Sequence, residues 1–129
     1  MEDKEIVAEV SKTNLGLATL VQTNKEMLKF FSDMITPGLC GMDWSNIMQQ
    51  IEGMTEFKII SSLSDTLDNY KELIHEHKRI MIQFSGGKGL TLDKGKSIIQ
   101  QYFSSHDYLE QIFYEKEAEE IQVTFLLMR

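Results

Sequence analysis

The apolar residues of this chain recur at alternating steps of three and four over two long stretches. Between Phe57 and Phe84 the repeating positions are Ile60, Leu63, Leu67, Tyr70, Ile74, His77, Met81 and Phe84. Residues spaced in this way lie on one side of an α-helix. Thr55 is a suitable N-cap, and the glycines of Ser85-Gly86-Gly87 are suited to end a helix. The pattern therefore predicts one long amphipathic helix over residues 57–84.

The N-terminal stretch, residues 2–35, repeats this spacing at Ile6, Val10, Thr13, Leu17, Leu20, Asn24, Met27, Phe31 and Met34. One helix over this stretch would be about 50 Å long at 1.5 Å per residue. A compact domain of this chain length is only about 36 Å across. Either the helix breaks near Thr13–Gly16 or the molecule is elongated. Two long apolar stripes favour an extended bundle, or one that a second copy completes.

The remaining chain predicts shorter helices. Pro37 ends the first helix, residues 44–52 form a second with Gly53 as its stop, and Thr91 or Leu92 begins another that runs through Phe103. A last helix follows Ser105. Residues 79–84 and 121–128 also alternate as strands do, so a minor two-stranded element involving the C-terminus is an alternative to helix in both. The predicted fold is all-α, a single domain over 1–129 built as an elongated bundle of about four to five helices.

Composition places the chain among ordinary globular proteins, with 42% hydrophobic and 26% charged residues. The acidic N-terminus lacks the basic head and apolar run of a signal peptide, and no apolar run approaches the ~20 residues that span a bilayer. The single cysteine, Cys40, has no partner for an internal disulfide. We therefore expect a cytoplasmic protein. The net charge of −7 argues against direct binding to nucleic acid or to a membrane.

One stretch carries features of a phosphate-binding loop. Gly95-Lys96-Ser97 precedes an apolar pair, as in a loop that wraps phosphates with backbone N–H groups. That loop also needs a glycine five positions before Gly95, where this chain has Leu90. No parallel α/β pattern is evident around it, so nucleotide hydrolysis is not expected. A looser alternative is anion or nucleotide binding by the Lys/Gly loop 85–97, with contacts from Lys88, Lys94 and Lys96.

Neither a metal centre nor a catalytic set is complete in the sequence. Glu72 and His75 match half of a carboxylate–imidazole motif found in metal-binding helical bundles, but a second such pair is missing. Cys40 has no histidine or basic residue close to it in sequence that would activate it as a nucleophile. We therefore expect no metal, no cofactor and no enzymatic activity.

These patterns favour a non-enzymatic protein-binding module, either an adaptor, a regulator or a self-assembling subunit. Its partner is a protein, including a second copy of itself, and its expected contacts are Leu17, Leu20, Asn24, Met27 and Phe31. The alternative is a small acidic inhibitor or decoy that occupies a basic, nucleic-acid-binding surface of another protein through Glu115, Glu117, Glu119 and Glu120. Salt dependence separates the two hypotheses, because exposed charge pairs are screened by salt.

Overall fold

A computed structural model of the chain describes residues 2–35, 44–87, 89–104, 106–114 and 120–129, without the side chains of residues 107 and 109–114. The helices are α1 (Asp3–Ser11), α2 (Leu15–Thr23), α3 (Lys25–Met34), α4 (Trp44–Ile51), α5 (Lys71–His75) and α6 (Leu92–Tyr102). The strands are β1 (Phe57–Leu63), β2 (Arg79–Gly86), β3 (Asp107–Tyr114) and β4 (Gln122–Met128). A 3₁₀ helix, Ser64–Tyr70, joins β1 to α5.

The four strands form one mixed sheet in the order β1-β4-β2-β3. β4 is antiparallel to β1 on one side and to β2 on the other. β2 and β3 are parallel, and α6 connects them. Parallel neighbours need such a crossover because the chain must return to the end from which it started.

The prediction of an all-α bundle is wrong, because residues 57–84 do not form one helix. They contain β1, the 3₁₀ helix, α5 and most of β2. The preference for helix over residues 79–84 and 121–128 is also wrong, since these segments pair antiparallel, with Ile80 opposite Leu127 and Phe84 opposite Val123. The pair belongs to the four-stranded sheet and is not a minor element. The helix expected after Ser105 is strand β3.

Apolar side chains pack on both faces of this sheet. On one face Met81, Leu126 and Met128 contact the buried residues of α1 to α4. On the other face Ile82, Phe125 and their neighbours contact residues of the 3₁₀ helix, α5 and α6. The sheet therefore lies between two helical layers. A strand buried on both faces can carry apolar residues at successive positions, as at 80–82 in β2 and 125–128 in β4, which is why neither strand shows a simple alternation.

The N-terminal stretch is three short helices. The break predicted near Thr13–Gly16 occurs at Asn14, whose side chain accepts a hydrogen bond from the Leu17 amide at 2.9 Å and caps α2. A second break occurs at Asn24, whose Oδ1 accepts from the amides of Glu26 and Met27 at 3.0 and 3.2 Å. Both helices begin at these caps because the side chains bond amide groups that lack a partner in the first turn.

The other predicted short helices are confirmed. α4 ends at Ile51 and is followed by Gly53 at φ 77°, a conformation that glycine adopts without steric cost. α6 begins after Thr91, whose side chain accepts from the Lys94 amide. Glycine also fits closely at Gly86, where a Cβ would make a tight contact at 3.2 Å with the Glu120 carbonyl oxygen.

Replacing Asn24 with leucine tests the capping role. If Asn24 were a polar residue in an apolar interface between helices, Asn24→Leu would raise the free energy of unfolding. If Asn24 is a helix cap, its loss costs about 0.5–2 kcal/mol. We expect a lower free energy of unfolding, measured by urea denaturation followed by circular dichroism. Asn24→Ser retains a capping oxygen and serves as the control. An Asn24→Leu variant more stable than the wild type would contradict the capping assignment.

Candidate functional site

Of the five N-terminal residues predicted to contact a partner, three are buried in the core of the protein. Leu17 and Phe31 are fully buried and Met27 is 4% exposed, all three in the core between the sheet and the N-terminal helices. The Asn24 side chain caps α3 by accepting hydrogen bonds from backbone amides. Only Leu20, at 40% exposure, is available at the surface. Of this set, Leu20 alone presents an apolar side chain for an external contact.

Leu20 belongs to an uncharged surface on α2. Leu15 is 74% exposed on the same helix, and no charged residue occurs between Lys12 and Lys25. The hydroxyl groups of Thr19 and Thr23 donate to carbonyl oxygens of their own helix at 3.1 and 3.3 Å. Hydroxyl groups bonded in this way have used their only donor, although their oxygens can still accept a hydrogen bond. The exposed residues of α2 all lack a charge and form what we call the α2 surface; they are Leu15, Gly16, Thr19, Leu20, Gln22 and Thr23.

The predicted anion contacts lie next to the crossover. The Lys/Gly loop joins the carboxyl end of β2 to the first turn of α6, where Lys94 and Lys96 are exposed. The expectation that no parallel α/β pattern surrounds this loop is wrong, since β2 and β3 are parallel. The Lys94 amide already donates to Thr91 Oγ1 at 3.1 Å, and the Leu90 amide to the Gly87 carbonyl oxygen at 3.0 Å. Two amides near the start of α6 are thus already bonded.

The acidic residues of the decoy hypothesis are mostly outside the described part of the chain. Glu120 is exposed beside the start of β4. Glu115, Glu117 and Glu119 lie outside the described residues, as does Lys88 of the Lys/Gly loop. The structure therefore neither assembles nor separates this acidic set.

A cleft of about 610 Å³ lies between α5 and the end of α6. Its lining residues are Lys71, Glu72, His75, Glu76, Gln101, Tyr102, Ser104 and His106. A ring nitrogen of His106 lies 2.8 Å from the Ile74 carbonyl oxygen and links the two sides. The half motif of Glu72 and His75 is thus placed in the cleft, but the described residues contain no group of three or more side chains that could hold a metal ion.

Tyr102, which lines this cleft, forms hydrogen bonds with two other side chains. Its hydroxyl donates to Asp68 Oδ1 at 2.8 Å and accepts from Gln101 Nε2 at 3.2 Å. The Lys71 ammonium lies 5.9 Å from the centre of the ring. The hydrogen bond to the Asp68 carboxylate, with burial and the negative charge of Asp68, raises the pKa of Tyr102 above 10.0. A phenol with a raised pKa remains protonated at neutral pH and is therefore a hydrogen-bond donor there.

The fold resembles part of a known class of proteins. No protein-family model matches the sequence, and no curated protein is similar to it in sequence. The structure of an empty FtsZ dimer from M. jannaschii matches 98% of this chain with a TM-score of 0.62 at 15% identity. A tryptophan-to-tyrosine mutant of FtsZ from the same organism matches 94% with a TM-score of 0.60 at 14% identity.

This chain covers 43% and 44% of those two FtsZ chains, so it spans less than half of their length. Similarity at this level of identity establishes a shared fold only. It agrees with the helix-covered sheet described above and not with a helical bundle. Among the described residues, no helix is long and apolar enough to cross a membrane.

A pH titration tests the Tyr102–Asp68 contact. Because the folded pKa is raised, the neutral phenol contributes stability that is present below the ordinary tyrosine pKa of about 10 and is lost as pH rises through the folded value. We expect Asp68→Asn to lower the Tyr102 pKa, measured by NMR of the tyrosine ring carbons. Asp65→Asn, a change at an exposed acid of the same 3₁₀ helix, should leave it unchanged. Equal Tyr102 pKa values in the wild type and in Asp68→Asn would show that Asp68 does not raise the pKa.

Proposed function

We propose that this chain is a non-enzymatic protein-binding module that associates with itself through the α2 surface. The observation that carries the proposal is the exposure of Leu15 and Leu20 on a helix without charges. Exposed leucines on an uncharged helix are suited to contact with another protein, because the contact removes their apolar surface from water. The partner surface must be uncharged as well, because a buried charge without a partner is costly.

The charge of the chain supports a second copy as the partner at this surface. With a net charge of −7, two copies repel each other wherever their acidic surfaces meet. The α2 surface avoids this repulsion because it has no charge to oppose. One of the matched FtsZ structures is described as a dimer, which supports self-association of a similar fold without identifying the surfaces used.

Paired aspartates on α2 test this proposal. Leu15→Asp with Leu20→Asp would place four carboxylates in a two-fold contact, so we expect the double variant to form a smaller assembly than the wild type at the same concentration. Both side chains are exposed, so the free energy of unfolding should change by no more than about 0.5 kcal/mol per substitution. Light scattering across a hundredfold dilution measures the mass, and circular dichroism confirms the fold.

A control with the same added charge separates local from global repulsion. Ser97→Asp with Gln100→Asp adds the same two charges at exposed positions of α6. This variant should associate as the wild type does. A wild-type mass of one chain at every concentration would refute self-association. Dissociation in both double variants would show that net charge, and not the α2 surface, controls the mass.

The alternative of an acidic decoy predicts a different response to salt. Binding to a basic partner surface through Glu120 and its acidic neighbours would weaken steeply as ionic strength rises. Contact through the uncharged α2 surface depends on apolar burial and should persist or strengthen in high salt. Repeating the light-scattering measurement over a range of sodium chloride concentrations distinguishes the two.

Anion or nucleotide binding by the Lys/Gly loop is the second alternative. Its support is the position of the loop between β2 and α6 of a parallel crossover, with Lys94 and Lys96 exposed. The spacing of the glycines and the bonded amides of Leu90 and Lys94 oppose it. Saturation by inorganic phosphate or ATP in a titration calorimeter, lost in Lys96→Ala, would favour this alternative.

We also expect the protein not to hydrolyse nucleotides. A phosphate-binding loop needs glycine where this chain has Leu90, since the backbone must come close to the phosphates. Release of phosphate from ATP or GTP should therefore match a protein-free control. Turnover that disappears in Lys96→Ala and is retained in Lys12→Ala would contradict the non-enzymatic assignment, because Lys12 is an exposed lysine far from the loop in sequence.

A further inference from the structure

β1 is an edge strand of the sheet, and alternate backbone groups along it face away from β4. Glu56 and Arg129 exchange both of their backbone hydrogen bonds, at 2.9 and 3.0 Å. The register from that pair continues through Lys58 opposite Leu127 and Ile60 opposite Phe125. In an antiparallel ladder, bonded and non-bonded pairs alternate. The N–H and C=O groups of Phe57, Ile59, Ser61 and Leu63 therefore point outward.

Three of these four residues have unused backbone groups. The Leu63 carbonyl oxygen accepts from the hydroxyls of Thr66 and Ser62 at 3.1 and 2.9 Å. Within the described part of the chain, nothing bonds to the outward backbone groups of Phe57, Ile59 or Ser61. This row of unpaired donors and acceptors is complementary to another extended strand.

β1 also lacks most features that protect edge strands. Its seven residues, Phe57–Leu63, contain neither proline nor a bulge and only one charge, that of Lys58. Phe57 and Ile59 pack against the core on the side of the N-terminal helices, so the strand is held in an extended form before any partner arrives. A preorganised strand loses little further conformational freedom on pairing.

The geometry points to a second copy of this chain as the partner of β1, paired antiparallel about Ile59 so that two sheets become one. In this register Ile59 lies opposite Ile59 of the second copy and Phe57 opposite Ser61. All unused groups of the three residues are then bonded, which gives roughly six hydrogen bonds across the two-fold axis. This proposal concerns a different surface from α2 and does not depend on it.

Charge favours a copy of this chain at β1. The chain as a whole is acidic, at −7, whereas the only charge on β1 is positive. Lys58 is exposed and makes no ion pair within the described residues. The edge thus carries none of the negative charge through which two copies repel each other over most of the remaining surface. The register about Ile59 also places Lys58 opposite Ile60 and not directly opposite another Lys58, which lessens the repulsion between the two lysines.

A proline in the edge strand tests this pairing with a matched control. Ser61→Pro removes an outward N–H group and places the proline ring where the second strand would lie. The bonds to β4 remain, because proline is tolerated on the open side of an edge strand. Ser61→Ala keeps the N–H group, and both variants lose the 2.7 Å contact between the hydroxyls of Ser61 and Thr124. Any difference between them therefore reports the outward side of the strand.

The measurement is made in the Leu15→Asp/Leu20→Asp background, so that the α2 surface cannot contribute. We expect a dimer in this background, a dimer with Ser61→Ala, and a monomer with Ser61→Pro at the same concentration. The measurement of the α2 proposal is then made with Ser61→Pro present throughout. A monomer in the background variant, or equal masses for Ser61→Pro and Ser61→Ala, would overturn the β1 pairing. Masses that grow beyond two chains would overturn it as well, because they indicate head-to-tail contact.

Single cysteines test the register, with Cys40→Ser removing the only natural thiol. Residues opposite each other in a bonded antiparallel pair have Cα atoms about 5.5 Å apart, within the range of a disulfide. Ile59→Cys should therefore crosslink two chains on mild oxidation. In the same register, copies of residue 61 are about 14 Å apart along the strands, so Ser61→Cys should not crosslink. Crosslinking of Ser61→Cys without Ile59→Cys would overturn the proposed register.

Discussion

The fold depends on the burial of β4. This strand pairs with β1 on one side and β2 on the other, so its backbone groups are bonded in both directions. Val123, Phe125 and Leu127 face one core, while Leu126 and Met128 face the other. A strand so placed needs two neighbouring strands to bond its peptide groups and two helical layers to cover its faces, because buried unbonded polar groups are costly. The helices before β1 supply one layer, and α5, α6 and the 3₁₀ helix supply the other.

The local features of this arrangement were predictable from the sequence, and the long-range ones were not. The start of α6 at Thr91 and the end of α4 before Gly53 depend on residues within a few positions of each other. The sheet depends on contacts between segments far apart, such as Ile60 with Phe125. Strands buried on both faces are apolar at nearly every position, so a helical spacing can always be selected from them. The last part of the predicted helix, over residues 79–84, was such a selection.

The same distinction applies to the candidate sites. A buried stripe indicates which residues leave water but not which surface covers them, and Leu17 and Phe31 are covered by this chain's own sheet and helices. Asn24 has the spacing of a polar residue in an apolar seam, but the backbone begins α3 there and the Asn24 side chain caps that helix. The cleft around Tyr102 joins residues 34 positions apart in sequence, and no motif spans that interval. The open edge of β1 follows only from the strand order.

The two proposed contacts differ in how they overcome the repulsion between acidic copies. The α2 surface has no charge and relies on apolar burial, whereas the β1 edge relies on directed backbone bonds beside one lysine. Each contact is two-fold, so each alone closes at two chains. If both are used, the assembly closes only where the two axes intersect, and otherwise extends as an open chain. Because backbone bonds fix the orientation of the β1 contact more strictly than side-chain burial fixes that at α2, the β1 contact would set the geometry of such an assembly.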